Sequence, residues 1–154
     1  MPNWCFNHLR VTGPAEDVTR FQNQAEGFST WPTSPAGPPP EVFNFQSLLP
    51  IPAEVLATEN PTARQEAQRQ HWGCRGGAEE ATLVDEWEGG VIYEFATAWN
   101  PPLAFLQQVS RQWPTLLWKL EYEEALAGFQ GLVRAKAGVV EDYRFDLSPT
   151  DQTQ

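Results

Sequence analysis

The chain has 154 residues, 41% apolar and 12% aromatic, enough to build one ordinary core, and it carries a formal charge of -10. Two cysteines are too few for a disulfide framework, and no stretch approaches the roughly 18 apolar residues of a membrane span, so a secreted disulfide scaffold and a helical membrane protein are not expected. The charge is uneven: residues 1 to 75 hold seven acids and five bases, and residues 76 to 154 hold thirteen acids and five bases, a field that repels phosphate backbones and attracts basic proteins.

Asn3 to Thr12 is short, rich in aromatic and branched residues, and closed by Gly13-Pro14, which predicts a strand followed by a helix. That helix runs from Ala15 to Glu26, with Val18, Phe21 and Ala25 on one stripe, Glu16 and Asp17 in the first turn and Gly27 as its stop. From Trp31 to Pro52 the pattern fails, because seven of the fourteen prolines fall there. Proline cannot donate to a sheet, so an extended arm is expected, with Val42, Phe43, Phe45, Leu48, Leu49 and Ile51 available to dock on the core. A polar, exposed helix is expected from Pro61 to about Gln70.

Thr82 to Trp87 and Val91 to Ala98 flank Glu88-Gly89-Gly90 and predict a hairpin. Asn100-Pro101-Pro102 opens a helix to about Trp113, with Phe105, Leu106 and Val109 at helical spacing. Thr115 to Glu123 alternates cleanly: Leu116, Trp118, Leu120 and Tyr122 share one face, and Leu117, Lys119, Glu121 and Glu123 the other. Two further strands are expected near Phe129 to Ala135 and Val139 to Phe145, turning at Ala137-Gly138. Without an insertion at 28 to 80, the order is strand, helix, strand, strand, helix, strand. This is the order of a ferredoxin-like α+β sandwich, an antiparallel sheet with two helices, here extended by extra C-terminal strands. A single domain over 1 to 147 and a disordered polar tail over 148 to 154 are expected.

Several strings point beyond fold class: MPNWCFN at the start, FNFQSLLPIP at 43 to 52, HWGC at 71 to 74, YEFATAWNPP at 93 to 102, QWP at 112 to 114 and FQG at 129 to 131. Together they resemble the Api92-like family, with its YubB-type ferredoxin-like domain, of small phage, plasmid and mobile-element proteins of unknown function. The resemblance implies a ferredoxin-like fold and a mobile-element setting in a bacterial host, and it supplies no catalytic residues. The chain departs from the family pattern after Trp72-Gly73, where Cys74-Arg75-Gly76-Gly77 replaces a polar or basic residue and another tryptophan.

The only Cys and His residues form two mirrored clusters, Cys5/His8 and His71/Cys74, the ligand count of a zinc site. Cys5 and His8 are three apart, however, so a regular strand points them to opposite faces, and no metal or other cofactor is expected. The chain lacks a GxSxG elbow, an HExxH helix and a phosphate-cradling loop, which argues against an enzyme. Glu121, Glu123 and Lys119 on one strand and Glu94 on its neighbour predict an acidic outer sheet face without aromatics, against direct nucleic-acid binding. Of the tryptophans, Trp31 is the best candidate for an exposed aromatic and most of the others are expected to be structural.

The expected function is therefore non-enzymatic binding to a basic protein surface through Glu79, Glu80, Asp85, Glu86, Glu88, Glu94, Glu121, Glu123 and Glu124. Read with the family resemblance, this becomes a cytoplasmic anti-CRISPR or anti-defence inhibitor that occupies the nucleic-acid groove of a host complex. The alternatives are a metal- or Cys-dependent, nuclease-like enzyme of mobile-element metabolism and a module that self-associates as a homodimer through its terminal hairpin or arm.

Overall fold

The computed structural model describes residues 3–28 and 40–146. Expectations for Trp31 and for the tail at 148 to 154 fall outside these residues. Strand β1 (Trp4–Thr12) leads into helix α1 (Ala15–Ala25), where Thr115 Oγ1 donates to the Asp17 carboxylate at 2.6 Å and joins the first turn to a later segment. A two-residue pair follows, β2 (Gly27–Phe28) with β3 (Pro40–Glu41). Three helices come next, α2 (Phe45–Leu48), α3 (Ala53–Leu56) and α4 (Pro61–Trp72). Helix α4 has clear local causes. Asn60 Oδ1 accepts from the Thr62 and Ala63 N–H groups, Pro61 opens the first turn, and Gly73 closes the helix at φ 82°.

Strand β4 (Arg75–Trp87) and β5 (Gly90–Ala98) form the expected hairpin about Glu88-Gly89. Helix α5 (Leu103–Gln112) returns along the sheet to β6 (Leu117–Glu124), β7 (Phe129–Lys136) and β8 (Val139–Asp146). The six long strands make one antiparallel sheet in the order β4-β5-β1-β6-β7-β8. Its first four strands, with α1 and α5, are a ferredoxin-like βαββαβ unit, and β7 and β8 extend that sheet beyond β6.

All the helices that bury residues do so against one sheet face. Leu9, Val11, Tyr93, Phe95, Trp118, Leu120 and Val133 meet Val18, Phe21, Phe105, Leu106 and Val109 there. The proline-rich region contributes substantially to this core: Phe43, Phe45, Leu48, Leu49 and Ile51 are buried as expected, and Phe45 stacks on Phe105 at 4.1 Å between ring centroids. Val42, just after β3, departs from the expectation and stays 38% exposed. Strand β4 starts at Arg75, so the sheet takes up residues read as insertion. Three register shifts and a positive φ at Glu80 break its alternation, which is why periodicity alone missed its first half. Among the described residues, no helix is long and apolar enough to cross a membrane.

Candidate functional site on the open sheet face

The other sheet face carries no helix, and the strand register fixes which side chains share it. In one cross-strand row Glu94, His8, Glu121, Leu132 and Tyr143 stand side by side on β5, β1, β6, β7 and β8. The next row toward the start of β1 holds Ala96, Phe6, Glu123, Gln130 and Phe145. Between these rows lies an open pocket of about 450 Å³, walled by Phe6, Leu132 and Phe145 and bearing Glu94, Glu121 and Glu123. Phe6 is 64% exposed and Phe145 61%, so two aromatic faces are available to a ligand. His8 Nδ1 lies 3.8 Å from Glu94 Oε2, close enough for a protonated imidazole to pair with that carboxylate.

On the opposite side of the His8 row, Ile92, Arg10, Lys119 and Arg134 stand in register on β5, β1, β6 and β7. None of these three cations forms an ion pair with a described residue. The Arg10 guanidinium instead lies over the Trp87 ring, 4.9 Å from its centroid. Trp87 in turn lies across Gly90, where a Cβ would come within 2.2 Å of the indole. The face is therefore bipolar, with a row of cations beside an acidic, aromatic pocket.

This arrangement corrects the expectation of an acidic face without aromatics. The alternation of β5 and β6 was read rightly, but Phe6 and Trp4 on β1, Trp87 on β4, and Tyr143 and Phe145 on β8 join the same surface. Trp4, Trp87 and Trp99 are 36%, 39% and 43% exposed, whereas Trp72 and Trp118 are buried. The signal for Phe6 was in the sequence, since it sits at odd spacing from Cys5, Leu9 and Val11.

The nine acids expected to form one surface are divided. Glu94, Glu121 and Glu123 meet at the pocket. Glu79 and Asp85 pair in register with Ala96 and Ile92 at the β4 edge of the same face. Glu86 accepts from the Gln22 side chain at 2.9 Å on the helix side, Glu88 occupies the hairpin turn and Glu80 lies at a bulge. Glu124 is a correction: only 1% exposed, it accepts backbone N–H bonds from Leu126 at 3.0 Å and Ala127 at 2.5 Å and so fastens the β6–β7 turn. No partner can reach it.

The Cys and His clusters are also separated. Cys5 and Cys74 are both buried on the helix side. His8 stands on the open face, as its odd spacing from Cys5 requires, and His71 Nδ1 lies 2.9 Å from the Ala67 carbonyl on α4. Among the described residues, no three His, Cys, Asp or Glu side chains group to hold a metal ion. Burial pushes the Cys5 thiol up to about 12, against the smaller opposing effect of a hydrogen bond with Thr97, and burial also raises Cys74. Thiols held neutral in this way are poor nucleophiles. Beside Cys5, Asn7 Nδ2 donates to Thr97 Oγ1 at 3.0 Å and to the Cys5 carbonyl at 3.1 Å, while Thr97 Oγ1 donates to the Asn100 carbonyl at 2.6 Å, a network that ties β1 to the β5–α5 turn.

An antiparallel sheet in ferredoxin-like order, helices on one face and an aromatic, charged pocket on the other, defines a ferredoxin-like α+β protein with an open sheet surface. The family model described as "Ferredoxin-like domain in Api92-like protein" matches residues 78–151, and this part of the chain is similar to that family. Over its whole length the fold is similar to the crystal structure of a protein Api92 from Yersinia pseudotuberculosis, with a TM-score of 0.73, 10% sequence identity, and 97% of this chain and 100% of that chain covered. No curated protein matched the sequence. The opening string MPNWCFN lies outside the family match and is reached only by the structural one.

Proposed function

We propose that this protein is a non-enzymatic binding module whose open sheet face takes a basic segment of a partner protein. One lysine or arginine side chain would seat between Phe6 and Phe145, with its charge met by Glu94, Glu121 and Glu123. The observation that carries this reading is the meeting of exposed aromatic faces and three carboxylates in one pocket of about 450 Å³. A cation on an aromatic face gains about 0.5 to 2 kcal/mol depending on its desolvation, and carboxylates beside it add charge complementarity. The same carboxylates beside Phe6 disfavour a phosphate backbone. In its finer form, the partner is a host complex whose Lys/Arg groove holds nucleic acid, a CRISPR-Cas complex among them, and the protein acts in the cytoplasm by occupying that groove. The acidity of the chain and its family resemblance support this form.

The test is a calorimetric titration of the full chain with an arginine- and lysine-rich extended peptide, and separately with single-stranded DNA. Peptide binding is expected to weaken at least about tenfold in Phe6→Ala and in the double variant Glu121→Gln/Glu123→Gln, as for loss of an interface anchor. Glu16→Gln and Glu88→Gln, which lie off the pocket, should bind as the parent does. Equal binding by the pocket variants, or preference for DNA, would sink the reading.

A further inference from the structure

The two edges of the main sheet are built differently. Strand β4 pairs with β5 through three register shifts, the kind of irregularity that blunts an edge against further pairing. Strand β8 pairs with β7 at all eight of its residues without a shift, from Val139 opposite Lys136 to Asp146 opposite Phe129. No described strand lies on its far side. Seven of its eight residues are exposed, including Val139, Tyr143 and Phe145 at 66%, 52% and 61%.

The hairpin turn sets the direction of the free backbone groups. Ala137-Gly138 is a two-residue turn with positive φ at both positions, 51° and 87°, so the flanking residues Lys136 and Val139 form a hydrogen-bonded pair. Alternation then turns the N–H and C=O groups of Val140, Asp142, Arg144 and Asp146 toward the open edge.

We infer that β8 is a self-pairing edge: two copies of the chain join by antiparallel pairing of β8 with β8, in the register that places Tyr143 opposite Tyr143. A two-fold axis normal to the sheet matches residues of the same face, so the pairing can centre on any one residue. Centring on Asp142 opposes two aspartates, centring on Arg144 opposes two arginines, and centring on Glu141 opposes two glutamates. Centring on Tyr143 places Arg144 opposite Asp142 of the second copy, twice by symmetry, and both are residues whose backbone groups face the edge. Centring on Phe145 also sets Arg144 opposite Asp146, but it engages only three residues of the strand, whereas centring on Tyr143 engages the seven from Val140 to Asp146 with no like charges opposed. On the open face the same register sets Phe145, a wall of the pocket, opposite Glu141 of the second copy. The two pockets would flank the joint, each with an additional carboxylate at its rim.

Light scattering on the full chain across a concentration series is expected to show a dimer. Asp142→Arg and Arg144→Asp should each shift it to monomer, and the double variant, which restores opposite charges across the axis, should recover the dimer. Circular dichroism checks that each variant is folded. Both side chains also bond to the Tyr122 hydroxyl, at 2.7 Å for Asp142 and 3.2 Å for Arg144, so a second probe avoids them. Tyr143→Cys places two thiols across the axis at a separation suited to a disulfide, and the native thiols are buried. Under mild oxidation this variant is expected to crosslink much faster than Glu16→Cys, whose thiol would sit on α1. A monomer at every concentration, or crosslinking no faster than in that control, overturns the inference. Either result leaves the basic-segment reading to its own titration, since the pocket is formed within one chain.

Discussion

Cys5 and Cys74 are the chemically softest groups in the molecule, and the fold makes both inert. Burial is the main cause of each raised thiol pKa, with Glu124 a smaller contributor at Cys5 and Cys5 itself a smaller contributor at Cys74. In the unfolded chain a thiol ionises near its ordinary value of 9.0, whereas folded Cys5 holds its proton to about 12. Above the unfolded value the folded state therefore binds more protons, and stability must fall as pH rises through this window. The contribution is fully present below pH 9 and declines by about 1.4 kcal/mol per pH unit for each thiol that behaves this way. Chemical denaturation between pH 8 and about 11 should show this decline. Cys5→Ala is expected to flatten it, and an equal slope in that variant would mean other groups control alkaline stability. The same residues show what a sequence can settle. Odd spacing within one regular strand was enough to part Cys5 from His8, because alternation is a local rule. The burial of Glu124 was not legible, since its need for a buried position arises from the N–H groups of the turn that follows it.

Among the elements, β6 was the most readable because its alternation is unbroken. The burial of Trp118, Leu120 and Tyr122 follows the expected face, and Leu116 is also buried just before the strand. Strand β4 was half legible: its bulges interrupt alternation, and Gly76-Gly77 resembles a loop when no partner strand is in view. The Pro-rich region announced its core residues by composition, Phe43 and Phe45 among them, but with no periodicity it gave no sign of the short helix α2 that carries Phe45 and Leu48. The β7–β8 turn was located from Ala137-Gly138, and the structure adds that Ala137 occupies the left-handed region at φ 51°. A side chain with a Cβ is disfavoured there by about 1 kcal/mol, and a two-residue hairpin turn of this form prefers Asn or Gly at that position. Ala137→Gly is thus expected to raise stability modestly, by a few tenths to about 1 kcal/mol after the entropy cost of glycine. Thermal unfolding would check it, and a lower melting temperature would argue against strain at this turn. Because Ala137 lies at the far end of β8 from Phe145, pocket binding should not change.

At the scale of the whole molecule, the open face joins β1 to two groups of hairpin strands, β4–β5 and β6–β8, that are far from it in sequence. Periodicity assigned faces to β5 and β6 one at a time, but only strand order brings Phe6, Glu121 and Phe145 to one pocket. The outer face of β5 and β6 was expected to be largely acidic, whereas the sheet sets Arg10, Lys119 and Arg134 in a row beside that of Glu94 and Glu121. In the proposed binding reaction these features act at different stages. Net charge and the rows act at long range, so they govern encounter; Phe6 and Phe145 act only in contact, so they govern release. Raising ionic strength from about 0.01 M to about 0.1 M shortens the screening length from about 30 Å to about 10 Å. The association rate of a basic peptide is therefore expected to fall about tenfold over that range, with a much smaller change in dissociation. Lys119→Glu removes one cation from the row that repels such a peptide, so it should raise association at low salt and leave dissociation nearly unchanged. Stopped-flow fluorescence separates these rates. A salt-independent association rate, or slower association for Lys119→Glu, would show that encounter is not steered by this face and would move the electrostatic argument elsewhere on the molecule.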